Sequence, residues 1–239
     1  MENEKKKGLN TNSNVYTIVY SVILVIIVAF LLAFVSKALE EKQGQNVALD
    51  KKKQILYALN IRDLDDALAE QKYKEVVKSD DVIGEPAVEG NENHGFKLNS
   101  SDYKQGKLAV YNCEVDGKKK YVIPVYGMGL WGAISGYIAL DEDKQTVFGA
   151  YFNHEGETAG LGAEIKDNAD WQKLFIGKKL FKEGQDDIAL SVVKKVDDST
   201  TQVDAVTGAT LTSDGVSLML KESLGKYKEF LKSDGGATL

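Results

Sequence analysis

Three threonine hydroxyls, at Thr207, Thr210 and Thr212, stand close together in the run Asp204-Ala205-Val206-Thr207-Gly208-Ala209-Thr210-Leu211-Thr212-Ser213. They lie between an expected strand over 188–196 and an expected helix over 213–231. A helix starting here would turn unpaired N–H groups and partial positive charge toward an anion. Gly208 and Ala209 carry almost no side chain, so a large ligand or a modifying enzyme can come close to Thr210. The same residues equally suit a plain strand-to-helix turn capped by Thr212 or Ser213. Residue chemistry alone leaves both readings open.

Two other stretches combine glycine with polar or flat side chains. Gly127-Met128-Gly129-Leu130-Trp131-Gly132 spells G-x-G-x-x-G. In a dinucleotide-binding fold those glycines open a helix, and an acidic residue follows about 20 positions later. Here residues 136–140 read as a strand and Asp141 comes too early, which excludes that fold. Leu130 and Trp131 beside a flexible turn suit the covering of a planar ring, or ordinary packing. Glu157-Thr158-Ala159-Gly160-Leu161-Gly162 reads as a glycine-rich hairpin tip whose backbone N–H groups and Thr158 hydroxyl can donate hydrogen bonds. His94 and His154 are the only histidines and Cys113 the only cysteine. That leaves little for a metal site or a Ser-His-Asp triad, and nothing for a disulfide or a cysteine-held cluster.

The elements that would carry these stretches are mostly strands. Residues 108–115 and 121–126 flank Asp116-Gly117-Lys118, a hairpin signal, and residues 146–153 follow 134–140 after Asp141-Glu142-Asp143-Lys144. No connection is long enough for a crossover helix, so the sheet is expected to be antiparallel. Residues 167–181 are predicted to form a helix with Trp171, Leu174 and Phe175 on one side, and residues 188–196 a further strand. The last long helix is predicted over 213–231, with Leu218, Leu220, Leu224, Tyr227 and Leu231 packed on the sheet. The fold class is α+β, an antiparallel sheet with helices packed on it.

A net charge of −6, with no basic patch interleaved with aromatics, argues against nucleic acid as a partner. Residues 1–14 form a short polar tail containing Lys5, Lys6 and Lys7, and residues 15–35 carry no charge. As a helix that apolar run reaches about 30 Å, the thickness of a bilayer core. It exceeds the roughly 7 to 15 apolar residues of a signal peptide, so a retained transmembrane helix is expected over 15–36. Lysines lie on both sides of it, so charge does not choose its orientation. Residues 37–80 read as a helical juxtamembrane segment, with Leu49, Ile55, Leu56 and Leu59 in one helix and Leu64, Leu68 and Tyr73 in another. Residues 84–106 read as surface loop, and the main domain is placed at 81–239.

Thr207-Gly208-Ala209-Thr210-Leu211-Thr212-Ser213, with Asp204 upstream, resembles the flavinylation motif of the bacterial FMN-binding domain family. The run from Pro124 through Trp131 to Gly132, and that from Glu157 to Gly162, resemble two further stretches of the family in the same order. Ala159 stands where the family usually has proline, a change that removes no donor. The resemblance implies FMN as cofactor, joined to Thr210 by a phosphoester. It places Asp204, Thr207, Gly208, Ala209, Leu211 and Thr212, then Glu157, Thr158, Gly160, Leu161 and Gly162, and finally Leu130 and Trp131, around that cofactor. It implies no catalytic residue and no metal in this chain.

The resemblance is strongest to C subunits of Na+-translocating NADH:quinone oxidoreductases. G subunits of Rnf complexes and stand-alone extracytoplasmic FMN carriers are the alternatives, and a non-redox anchored binding domain is the reading from another class. It implies an electron-relaying flavoprotein of the bacterial inner membrane, with its FMN domain on the periplasmic side. The implied partners are iron–sulfur and flavin-bearing subunits of the same complex, and a flavin transferase for maturation.

Overall fold

The structure, a computed structural model, describes residues 11, 13–85 and 94–233. Most of the polar tail, with Lys5, Lys6 and Lys7, and part of the expected 84–106 loop lie outside the described residues. Helix α1 (Asn14–Ala58) is unbroken, and the apolar residues of its first half, such as Ile18, Ile26 and Phe34, are exposed. It is long and apolar enough to cross a membrane. The chain divides into two compact units, Met1–Ala48 and Leu49–Leu239.

The second unit holds the core. Ile55, Leu56 and Leu59 are fully buried in it. After a turn, α2 (Asp66–Val76) starts at Asp65, whose carboxylate accepts the Leu68 N–H at 2.8 Å. The expected helical segment does not reach residue 80, because the chain turns directly into strand β1 (Val77–Val82). Its polar sequence hides a sheet edge. Asp80 turns inward and accepts the Phe96 N–H at 2.6 Å, so the pattern lacks the apolar alternation of a strand. Part of the expected loop is also ordered, since α3 (Ser100–Lys104) is held by a reciprocal capping box between Asn99 and Asp102.

Strands β2 (Ala109–Val115), β3 (Lys118–Met128), β4 (Ala133–Leu140) and β5 (Val147–His154) complete a five-stranded antiparallel sheet in the order β1-β2-β3-β4-β5. The register pairs Tyr111 with Val122 and Ile138 with both Ile123 and Ala150. The connections from β2 to β5 are hairpins, as the spacing of the turn residues predicts, while the longer β1–β2 connection carries α3. Aromatic side chains join the sheet to both helical layers. Tyr151 meets Tyr57 of α1 and Tyr126 meets Tyr103 of α3, while Phe152 on the opposite face meets Trp171 and Phe175.

The C-terminal third departs further from expectation. In place of one helix over 167–181 there are two single turns, α4 (Glu164–Asp167) and α5 (Ala169–Lys173). Trp171 and Phe175 are buried as expected, but Leu174 is exposed. The expected strand over 188–196 shrinks to β6 (Ser191–Val193), which pairs in parallel with β7 (Gln202–Asp204). Helix α6 (Thr210–Lys226) starts three residues earlier than predicted and gives way at Tyr227 to α7 (Lys228–Lys232). Val216, Leu220 and Leu224 of α6 face the core, whereas Leu218, predicted to pack there, is 55% exposed.

A serine docks α6 on the sheet. The β2 ladder ends at Val122, leaving the far half of β3 paired only with β4. There the Ser223 hydroxyl both accepts the Tyr126 N–H and donates to the Tyr126 carbonyl, each at 3.1 Å. It replaces the missing neighbour strand for one residue. Alternate residues of a strand turn their backbone groups to the same side, so Pro124 lacks its N–H where no strand would use it.

Candidate functional site

The three glycine-bearing stretches converge at the end of the sheet where β3, β4 and β5 meet the start of α6. The β3–β4 connection is closed by Gly129 N–H donating to the Gly132 carbonyl at 2.8 Å. Because Gly132 is followed by β4, the G-x-G-x-x-G string forms a hairpin tip. Trp131 is 69% and Leu130 46% exposed on that tip. Large apolar groups in such positions are available to cover a flat ligand.

The second stretch follows β5 as a chain of turns. Leu161 N–H and Ala163 N–H both donate to the Thr158 carbonyl, at 3.1 and 3.0 Å, so these donors are engaged within the loop. Thr158, Gly160 and Leu161 are exposed, and Gly160 has φ +71°. Gly162 is buried, because a Cβ there would lie 2.5 Å from Glu157 Oε2 and 2.6 Å from Thr212 Oγ1.

The third stretch is the start of α6. Thr210 is the first helical residue, with Ala209 before it in the cap position and no side chain capping the turn. Thr212 and Ser213, expected as caps, lie inside the first turn and are fully buried. Their hydroxyls reach other segments: Thr212 Oγ1 donates to Glu157 Oε2 at 2.5 Å, and Ser213 Oγ accepts the Val206 N–H at 3.1 Å. The first helical bond runs from Ser213 N–H to the Ala209 carbonyl at 2.9 Å. The N–H groups of Thr210, Leu211 and Thr212 therefore stand outside the helix ladder.

Thr210 is exposed, and its hydroxyl has no partner among the described residues. Thr207, Gly208 and Leu211 are exposed beside it, while Ala209 is buried. Asp204 ends β7; its carbonyl accepts Trp171 Nε1–H at 2.8 Å and its side chain is exposed.

Glu157, predicted among the ligand-contacting residues, is 7% exposed and lies beneath the three stretches. Its Oε1 accepts the Trp131 N–H at 2.9 Å, and its own N–H donates to His154 Nδ1 at 3.1 Å. Burial pushes its carboxyl up. The Thr212 hydroxyl and the backbone N–H groups of Trp131, Gly132 and Leu130 outweigh that and hold it below the usual carboxylate range. What sequence reasoning missed is Ser213 as a loop anchor: its partner Val206 lies outside the local spacings at which a serine bonds nearby backbone, so no short pattern marks it.

The segment that carries the hairpin tip, the loop after β5 and Thr210 matches the FMN-binding domain family over residues 129–225, which gives the class of the domain. The C subunit of the Na(+)-translocating NADH-quinone reductase of Pseudomonas aeruginosa is 45% identical over 123 residues, covering 49% of this chain and 46% of that protein. Its counterpart of the same name from Haemophilus ducreyi is 39% identical over 140 residues, covering 56% of this chain and 54% of that protein. The chain thus spans about half the length of these curated relatives. The crystal structure of the Na(+)-translocating NADH-quinone reductase C subunit from Parabacteroides distasonis superposes with a TM-score of 0.74 at 39% identity, covering 82% of this chain and 98% of that one. The chain belongs to the family of Na(+)-translocating NADH-quinone reductase C subunits.

Proposed function

We propose that this chain is a membrane-anchored flavoprotein that relays electrons as one subunit of a Na+-translocating NADH:quinone oxidoreductase. Its FMN is attached through a phosphoester to Thr210. The observation that carries the reading is the unpartnered Thr210 hydroxyl at the start of a helix whose first N–H groups are free for a phosphate. FMN supplies the redox chemistry, and the protein supplies attachment, orientation and tuning.

Each part of the site has a task in this reading. The Thr210 hydroxyl would be the nucleophile of attachment: its oxygen would displace AMP from FAD held on a flavin transferase, which would take the hydroxyl proton. The N–H groups of Thr210, Leu211 and Thr212 receive the phosphate charge. Leu130, Trp131, Leu161 and Leu211 cover the ring and exclude water from it. Thr158, Gly160 and Gly162 present the second loop to its polar edge. Asp204, Thr207, Gly208 and Ala209 shape the surface that the transferase recognises.

Helix α1 holds the domain at the bacterial inner membrane through residues 15–36, on the periplasmic side, where a covalent bond prevents loss of a cofactor that cannot be readily replaced. Iron–sulfur and flavin-bearing subunits of the complex supply and take the electrons.

The test is expression in a host containing the flavin transferase, followed by a denaturing gel viewed under ultraviolet light. The wild-type chain gives a fluorescent band and Thr210→Val gives none. A fluorescent Thr210→Val band removes Thr210 as the attachment point.

A further inference from the structure

Glu157 joins segments that are far apart in the chain. One carboxylate oxygen holds the Trp131 N–H at 2.9 Å, across 26 residues, and the other holds the Thr212 hydroxyl at 2.5 Å, across 55. Glycine walls the carboxylate on two sides. A Cβ on Gly129 would collide with Oε1, and one on Gly162 would lie 2.5 Å from Oε2. The group is almost fully buried and both its oxygens are engaged, so it is not placed to bind a ligand. Ala209 cannot cap α6, and Glu157 brings a negative group to the third helical residue from a distant loop.

We infer that Glu157 is a positioning residue: it fixes the Leu130–Trp131 turn and the first turn of α6 relative to each other, and so sets where the Thr210 hydroxyl is presented. The last clause rests on the reading of Thr210 as the attachment point; the fixing of the two segments does not. Removal of the carboxylate leaves the Trp131 N–H and the Thr212 hydroxyl without their acceptor in a buried place. The consequence is local opening of those segments, not loss of the whole fold.

The experiment compares full-length wild type with Glu157→Ala and Glu157→Gln, by amide hydrogen exchange on protein made without the flavin transferase. Covalent flavin is measured by intact mass on protein made with it. In Glu157→Ala, exchange accelerates by about tenfold in residues 129–133 and in the first bonded turn of α6, residues 213–217, while the β2–β3 hairpin keeps its protection, and the flavinylated fraction falls severalfold. Glu157→Gln restores both readouts, because its amide oxygen can accept from Trp131 and its NH2 can donate to Thr212.

Unchanged exchange in both segments of Glu157→Ala overturns the inference. So does acceleration spread evenly over the domain, or a Glu157→Gln variant as impaired as Glu157→Ala. Should wild type carry no flavin at all, the reading of Thr210 fails, while the exchange measurement still decides whether Glu157 fixes the two segments.

Discussion

Gly208 lies so close to Leu161 that a Cβ on it would stand 2.9 Å from Leu161 Cδ2, and its φ is +76°. The loop before Thr210 and the loop after β5 therefore touch at a point where only glycine is unstrained. Alanine at position 208 costs about 1 kcal/mol for the left-handed backbone, and the flexible tip of Leu161 must also move. Gly208→Ala is expected to fold and to carry severalfold less covalent flavin, read as in-gel fluorescence per unit of protein. Gly208→Asn, which tolerates this backbone better, should fall between it and wild type. Full labelling of Gly208→Ala would show that this approach does not matter to attachment.

Two glycines of α6 should respond with opposite signs. A Cβ on Gly215 would collide with the Met128 carbonyl at the end of β3, whereas a Cβ on Gly225 would meet nothing within 4 Å. Alanine is the better helix former at either place by roughly 0.5–1 kcal/mol. Gly225→Ala should raise the urea midpoint accordingly. Gly215→Ala must push α6 off the sheet, and the overpacking outweighs propensity, giving a net loss of about 1–3 kcal/mol. A stabilised Gly215→Ala would contradict the close approach of α6 to β3.

Lys51 makes the stability of the second unit depend on alkaline pH. Burial lowers its ammonium to about 8, against the raising effect of Asp80 and Asp102. Its Nζ donates to the carbonyls of Phe96 and Leu98, at 2.5 and 3.0 Å. An unfolded lysine titrates at about 10.4. Between those values the unfolded chain binds more protons than the folded one, so this group makes stability rise with pH there. Wild-type stability relative to Lys51→Met should increase by about 1 kcal/mol or more from pH 8 to pH 10, by urea unfolding in detergent. A flat or falling difference contradicts the burial argument.

The central strands and the three glycine-bearing stretches were legible because their signals are local: alternating apolar residues, turn residues between them, and short motifs in order. Strand β1 was not, since its inward Asp80 is satisfied by Phe96 and reads as polar loop. The start of α6 was misplaced for a related reason. Thr212 and Ser213 look like caps in sequence, yet their hydroxyls serve Glu157 and Val206. Glu157 falls in one of the three stretches by sequence, but its partners Trp131 and Thr212 lie far away in the chain, and no spacing rule connects them. Leu218 fits helical periodicity and is nevertheless exposed, because α6 meets the sheet along Val216, Met219 and Leu220.

Whether a flavin is bonded to the Thr210 hydroxyl is decided by the intact mass of the chain purified from native membranes. One added FMN phosphoryl unit is expected, located by fragmentation to the peptide containing Thr210. An unmodified mass, or the added unit on any other residue, would contradict attachment at Thr210.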